Sequence, residues 1–353
     1  MADVFEIGGG LARVRDSLWP IAHITFAATL AYLVAHFALG HEVPLLAVTV
    51  AISSLGFVRD ARPDRVAATA LAMTLGVGLS ETLLIVFGAG AVQLLVAILL
   101  SLILARFVSA NPAFAITATL QAVLVQLLQA PSGGVYSRVI DGVIGGVIAL
   151  AFTALIPRNP LKLARADAGR LFGVFKSTLG DLRSVLLAPN IELADAALER
   201  IRATQPLLDK WRSSLESAVS IGKISPFYRW AKQQIADQET LLEGMDLATR
   251  NLRVVVRRVD FLVRDLRPRP ELASLIAKFL ISVDLLESSL DDFSLTQKAR
   301  KYLIKLAPKL GVVEGLGLQD QVIVMQLRPL FVDLCQASGM KAEEAKNLLP
   351  VVD

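Results

Sequence analysis

The chain has 353 residues, 54% of them hydrophobic, with 36 Lys or Arg against 32 Asp or Glu and a mean hydropathy of +0.57. It is too apolar for an ordinary soluble chain, and its net charge of +4 is too small over this length for a nucleic-acid surface. One cysteine, Cys335, excludes an internal disulfide and a multi-cysteine metal site; its plain reading is a small buried hydrophobe.

Charge is unevenly spread. Residues 1–160 hold 8 Arg, no Lys and 8 Asp or Glu, so residues 161–353 carry the remaining 28 basic and 24 acidic residues and the whole net charge. The reading is an all-α protein: a cytoplasmic segment over 1–17, a six-span transmembrane domain over 18–158, and a cytoplasmic helical bundle over 159–353. The first apolar run lacks a small-residue cleavage site and is followed by further spans, so no cleavable signal peptide is expected.

In chain order, the first span covers about Leu18–Leu39 and ends at Gly40-His41-Glu42. The second covers about Val43–Val58, with Pro44 at its start, and the third about Val66–Phe87. Gly88-Ala89-Gly90 turns the chain into the fourth, about Ala91–Val108. Asn111-Pro112 is a good helix start for the fifth, which runs to about Gln129. After the turn Pro131-Ser132-Gly133-Gly134, the sixth is RVIDGVIGGVIALAFTALIP, Arg138 to Pro157. Arg13, Arg15, Arg59, Arg62, Arg65, Arg106, Arg158, Lys162 and Arg165 fall on one side of these spans and only Arg138 on the other. That bias predicts a cytoplasmic N-terminus and C-terminal domain in a bacterial inner membrane.

From Leu161 onward, Pro and Gly breaks separate helices at about Lys162–Ala188, Ile191–Ile221, Pro226–Leu266, Glu271–Phe293, Thr296–Leu306, Gln319–Ala337 and Lys341–Leu348. The third carries Arg250, Arg253, Arg257, Arg258 and Arg264. Its plain reading is a solvated face bridged to its own acids; its sharper one is binding of anionic lipid heads or an anionic effector.

No phosphate-binding loop, dinucleotide fingerprint, HExxH, nucleophile elbow or hydrolytic carboxylate pair occurs, so the sequence points to no enzyme, no ATP-driven step, no cofactor and no metal. His23 and His36 lie 13 residues apart, too far along one helix to share a metal. Polar residues inside the apolar half are the functional candidates, because an unpaired charge there costs about 2.5–3.5 kcal/mol on insertion scales. Glu81, Arg138 and Asp141 fall at one depth. Glu81 is expected beside Arg138, with Asp141 on the Arg138 face by i,i+3 spacing. This group reads as an ion-pair lock between helices or as an outer gate and proton-coupling site. Thr117 with Gln121, and Thr119 with Gln126 and Gln129, offer a polar path or helix–helix bonds. His23 reads as a helix–helix hydrogen bond or a titratable group on the path. Arg59, Arg62 and Arg65 read as topology determinants or as an anion-concentrating mouth. Gly142, Gly145, Gly146 and Ala149 form a close-packing face.

The stretches IAHITFAATLAYLVAHFALG and HEVPLLAVTVAI, the basic loop and third span RPDRVAATALAMTLGVGL, and the sixth span RVIDGVIGGVIALAFTALIPRNP are similar to the aromatic acid exporter and fusaric acid resistance superfamily. The resemblance covers about residues 15–160. It implies a transporter or channel for organic anions, typically aromatic carboxylates, with plant malate channels as distant relatives. Two six-span halves surround one pore in those relatives, which implies a homodimer here. Carried over are Arg62 and Arg65, Gly76 and Gly78, and Arg138, Asp141 and Gly145. The expected partners are a small organic anion, membrane lipids and a second copy. The rival reading is a non-transporting membrane scaffold that recruits cytoplasmic partners in cell-envelope processes.

Overall fold

The computed structural model describes residues 7–56, 62–128, 134–155, 160–225, 231–292, 294–312 and 316–351, all helix, turn or coil. The chain divides into two compact units: Met1–Arg158 with Ser220–Arg229, and Asn159–Val219 with Trp230–Asp353.

The first unit contains α1 (Ile7–Leu33), α2 (Leu45–Leu55), α3 (Pro63–Phe87), α4 (Ala91–Val108), α5 (Pro112–Leu127) and α6 (Ser137–Leu155). Among the described residues, four helical stretches are long and apolar enough to cross a membrane: Ser17–Ala38, Pro63–Phe87, Ala91–Val108 and Ser137–Leu155. Two are shorter than expected. Pro44 sets the start of α2 and Gly56, at φ 50°, its end, leaving 11 residues, or roughly 16 Å of rise. α5 starts at Pro112 behind its Asn111 cap and has 16 residues, roughly 24 Å. A bilayer hydrocarbon core is about 30 Å thick.

α3 is central, packing on α2, α4, α5 and α6. Small residues set how closely the helices approach. A Cβ at Gly76 would overlap the Ala118 carbonyl of α5, and one at Gly145 the Ala47 carbonyl of α2. At Gly146 it would come 2.8 Å from Ala70 Cβ, and at Gly142 3.1 Å from Thr74 Oγ1. Gly78 is different, since a Cβ there would meet Val139 Cγ2 at an ordinary 3.7 Å. α4 turns Ala97, Ser101 and Ala105 inward and leaves Leu95, Leu99, Ile103 and Phe107 exposed.

The second unit contains α7 (Pro160–Leu187), α8 (Ile191–Arg202), α9 (Gln205–Ile224) up to Val219, α10 (Lys232–Leu262), α11 (Pro270–Ser288), α12 (Ser294–Leu306), α13 (Leu318–Ala337) and α14 (Ala342–Asn347). The single helix expected over Ile191–Ile221 is two. Thr204-Gln205-Pro206 breaks it: the Thr204 hydroxyl donates to Ile201 O at 2.7 Å, and the Leu207 and Leu208 amides donate to Thr204 O. Arg253 of α10 clasps the break through Ile201 O and Thr204 Oγ1.

One apolar core holds these helices, built on fully buried Phe172, Phe175, Trp211, Phe279 and Phe331. α10 approaches α13 so closely that a Cβ at Gly244 would overlap the Ala337 backbone. Arg269 is buried and pairs at 2.6 Å with both Asp265 and Asp320, while its amide donates to Leu186 O. The turn before α11 is thereby tied to α7 and α13. Cys335 is fully buried, and its surroundings push the thiol up to about 12.

Two predictions follow from this packing. Gly76→Ala should disperse poorly in detergent size exclusion, because the α3–α5 backbones must part, whereas Gly78→Ala should elute as the parent protein does. The second concerns Asp333 of α13, buried and accepting a 2.6 Å bond from Asn251 of α10. Burial pushes its carboxyl up to about 6 from an ordinary 3.8, against the lowering effect of Asn251. The folded pKa is the higher one, so this stabilisation is complete below about pH 4 and is lost as pH rises through about 6. The difference is worth roughly 3 kcal/mol. Asp333→Asn should therefore raise the thermal unfolding temperature of the full chain at neutral pH by a few degrees, and leave it unchanged in acid. Equal shifts at both pH values would contradict this account.

Candidate functional site

Where α2 ends and α3 and α5 begin, a cleft of about 660 Å³ opens in the first unit. Ser53 and Ser54 of α2, Asp64, Arg65 and Thr69 of α3, and Asn111, Phe114 and Thr117 of α5 line it. Its polar character follows from how the helices begin. Arg62 precedes α3 in extended geometry with Pro63 as the first helical residue, which places the exposed Arg65 side chain in the first turn. Asn111 caps α5 by accepting from the Ala113 amide at 3.0 Å. Two helix N-termini thus meet at the cleft beside one arginine, and helix N-termini favour anions. Asp64 offsets part of that charge.

Polar side chains continue inward from the cleft along α5. Gln121 lies one turn beyond Thr117 and donates to Thr49 Oγ1 of α2 at 3.4 Å. Gln126 donates to Ser80 O of α3 at 3.4 Å, and the Ser80 hydroxyl donates to Ala122 O at 2.7 Å. The amide oxygens of Gln121 and Gln126 and the Ser54 hydroxyl are buried without a hydrogen-bond partner. Such groups are expensive in an apolar interior. From Thr117 to Gln126 the line climbs roughly 13 Å.

The line ends at four charged or titratable side chains, all buried: Glu81, Arg138, Asp141 and His41. Glu81 and Arg138 face one another electrostatically, and the Arg138 and Val139 amides in the first turn of α6 approach the Glu81 carboxylate. These approaches lack ordinary hydrogen-bond geometry, and both Glu81 oxygens are without a bonded partner. Arg138 donates to Val125 O at 3.2 Å.

Asp141, buried on the same helix as Arg138, makes its hydrogen bond to His41 Nδ1 at 2.7 Å. His41 is brought there by a π-helical turn, Val34–Ala38, that continues α1 and is followed by Gly40 at φ 72°. The His36 ring holds His41 O at 2.8 Å. Charge counting by Arg and Lys overlooked His41, although its loop lies at the same end of the spans as Asp141.

His23 lies elsewhere. It is buried against α6, with Nε2 3.4 Å from Phe152 O and its ring edge-on to Phe152, and it does not line the cleft. Arg59 lies outside the described residues. Among the described residues, no group of three His, Cys, Asp or Glu is placed to hold a metal.

The class this defines is a multi-pass helical membrane protein with a buried polar line through its apolar unit and a separate helical unit. A model of the fusaric acid resistance protein-like family matches residues 26–152. An uncharacterized protein of Corynebacterium glutamicum is 30% identical over 354 aligned residues, covering 96% of this chain and 90% of its own length. Proteins of Mycobacterium tuberculosis and Mycobacterium bovis that carry the name "Putative arylamide transporter" are 26% identical over 203 residues, covering 54% of this chain and 56% of theirs. The chain belongs to the fusaric acid resistance protein-like family.

The His41–Asp141 bond yields a stability test. His41→Ala leaves the buried Asp141 carboxyl without its hydrogen-bond partner and should cost about 1–3 kcal/mol. His41→Ala with Asp141→Asn should cost clearly less than the sum of the single changes, read as thermal unfolding of the detergent-purified chain. Additive losses would mean that the two side chains do not act as a pair.

Proposed function

We propose that this protein is a membrane transporter of small organic anions, aromatic carboxylates foremost, working without ATP. The observation that carries the reading is the line of buried polar groups from the cleft to Glu81, in which the amide oxygens of Gln121 and Gln126 and the Glu81 carboxyl oxygens have no hydrogen-bond partner. A purely structural membrane unit gains nothing from unpaired buried oxygens, whereas a passing solute or water can satisfy them. Family membership and the name of the mycobacterial relatives support transport rather than catalysis.

In this reading all six apolar helices belong to the membrane domain of a bacterial inner-membrane protein. The basic bias puts the N-terminus, the cleft and the second unit on the cytoplasmic side. α2 and α5, too short to cross the full hydrocarbon thickness, both end in the cleft, which forms a recess open to the cytoplasm. Arg65 and the two helix N-termini attract a carboxylate there, with Arg62 and Arg59 adding to the field, and Phe114 offers an aromatic wall. Gln121 and Gln126 line the route inward. Arg138 is the cation at its far end, with Glu81 and Asp141 as gating or proton-coupling groups. A second copy completes the assembly, as in the family's two-halved members.

The test is movement of labelled aromatic and aliphatic carboxylates into and out of proteoliposomes holding the full chain. Arg65→Ala should raise the half-saturating concentration several-fold with a smaller effect on maximal rate. Glu81→Gln should cut the rate at least tenfold while the protein stays folded. If the parent protein moves none of the carboxylates in either direction, the transport reading falls and the scaffold reading replaces it.

A further inference from the structure

The exposed side of α10 does not behave as an ordinary solvated face. Leu247, Val254 and Phe261 recur every seven residues, so they share one side of the helix over roughly 21 Å. Phe261 is 68% exposed. Leu266, in the turn that closes the helix, is 63% exposed and sits at φ 56°, a left-handed conformation that a branched aliphatic residue seldom adopts. The opposite side of α10, including Leu252, Val255, Val256 and Val259, is fully buried in the core of the second unit.

Basic residues flank this apolar stripe. Residues 247–267 contain six Arg and two Asp, an excess of +4 that equals the net charge of the entire chain. The two acids are already engaged: Asp260 by Arg264, and Asp265 by Arg269, which lies outside that window. Arg250 bonds Asp246, and Arg264 lies over the Phe261 ring at 6.0 Å. Arg257 and Arg258, one turn before Phe261, are exposed, and among the described residues neither forms a hydrogen bond or ion pair. Arg267 is exposed, and the acid beside it, Asp265, is already engaged by Arg269.

We propose that the stripe of α10 around Arg257, Arg258, Phe261 and Leu266 docks on an anionic phospholipid surface. Phe261 and Leu266 would enter the headgroup boundary, and the arginines would pair with lipid phosphates. Charge selects this occupant over a second copy of the chain. Two such stripes face to face would set arginine against arginine, with no free acid between Arg250 and Arg264 to compensate. Of the two roles the arginines suggest, the bridged face describes Arg250 and Arg264, and lipid binding describes Arg257 and Arg258.

The experiment uses the full chain in nanodiscs of phosphatidylcholine alone, or of an equal mixture with phosphatidylglycerol. Phe261→Cys and, separately, Leu266→Cys are labelled with a nitroxide; buried Cys335 is the sole native thiol and stays unmodified. Power saturation then compares collisions with oxygen and with a water-soluble nickel chelate. In the mixed discs both labels should favour oxygen several-fold over their values in phosphatidylcholine. Arg257→Glu with Arg258→Glu should return them to the aqueous ratio, and so should high salt. Labels that stay aqueous in both lipids would overturn the proposal. Immersion indifferent to lipid charge and to the arginine reversal would do so as well. Strong spin–spin coupling between labels, present without anionic lipid and lost on dilution with unlabelled chain, would assign the face to a second copy instead. None of these readouts depends on transport, so the proposal and the transport reading fail separately.

Discussion

The bond between His41 and Asp141 governs how the first unit can be assembled. A carboxylate in an apolar helix demands a partner, and here the partner comes from a hundred residues earlier in the chain. Meeting that demand draws the connection after α1 onto the start of α6. α2 begins four residues after His41, at Leu45 behind Pro44, and is therefore laid along α6 from its first turn, where Gly145 admits the Ala47 carbonyl. Arg138 and Glu81 then complete a group of two acids, one fixed cation and one imidazole. Low-dielectric surroundings make any unpaired charge in such a group costly.

Close backbone approach and short helices work together on either side of this group. Gly76 and Gly145 bring α5 and α2 against α3 and α6 with no side chain between them. Helices held so tightly need little length to be secure, and α2 and α5 have little. What they leave unfilled is the cleft.

Much of this was legible in the sequence. α4 falls at its expected bounds because Gly90 and the Ser109–Pro112 break punctuate an uninterrupted apolar run. α3 begins at Pro63 rather than Val66, a shift that the Arg-Pro pair already encodes. The split at Thr204 was likewise written in Thr-Gln-Pro but was overridden by the amphipathic pattern running through it. The burial of Glu81, Arg138, Asp141, Gln121 and Gln126 follows from the cost of placing such residues in apolar helices at all. The choice of partner does not. Asp141 and Arg138 share a helix and a face, but burial lets each satisfy itself with whatever the fold brings near, and contacts a hundred residues apart leave no trace in local spacing.

The π-helical turn over Val34–Ala38 is where that fold best absorbs a change of chain length. A π turn holds one residue more than the α turn it replaces. Deleting a single residue there would let α1 continue as an ordinary helix, with the residues beyond keeping nearly the same phase, and His41 would still reach Asp141. A residue deleted elsewhere in α1, where no surplus residue absorbs the change, would turn one part of the helix against the other by about 100°. Natural variants one residue shorter in this segment should therefore keep both the histidine and the aspartate.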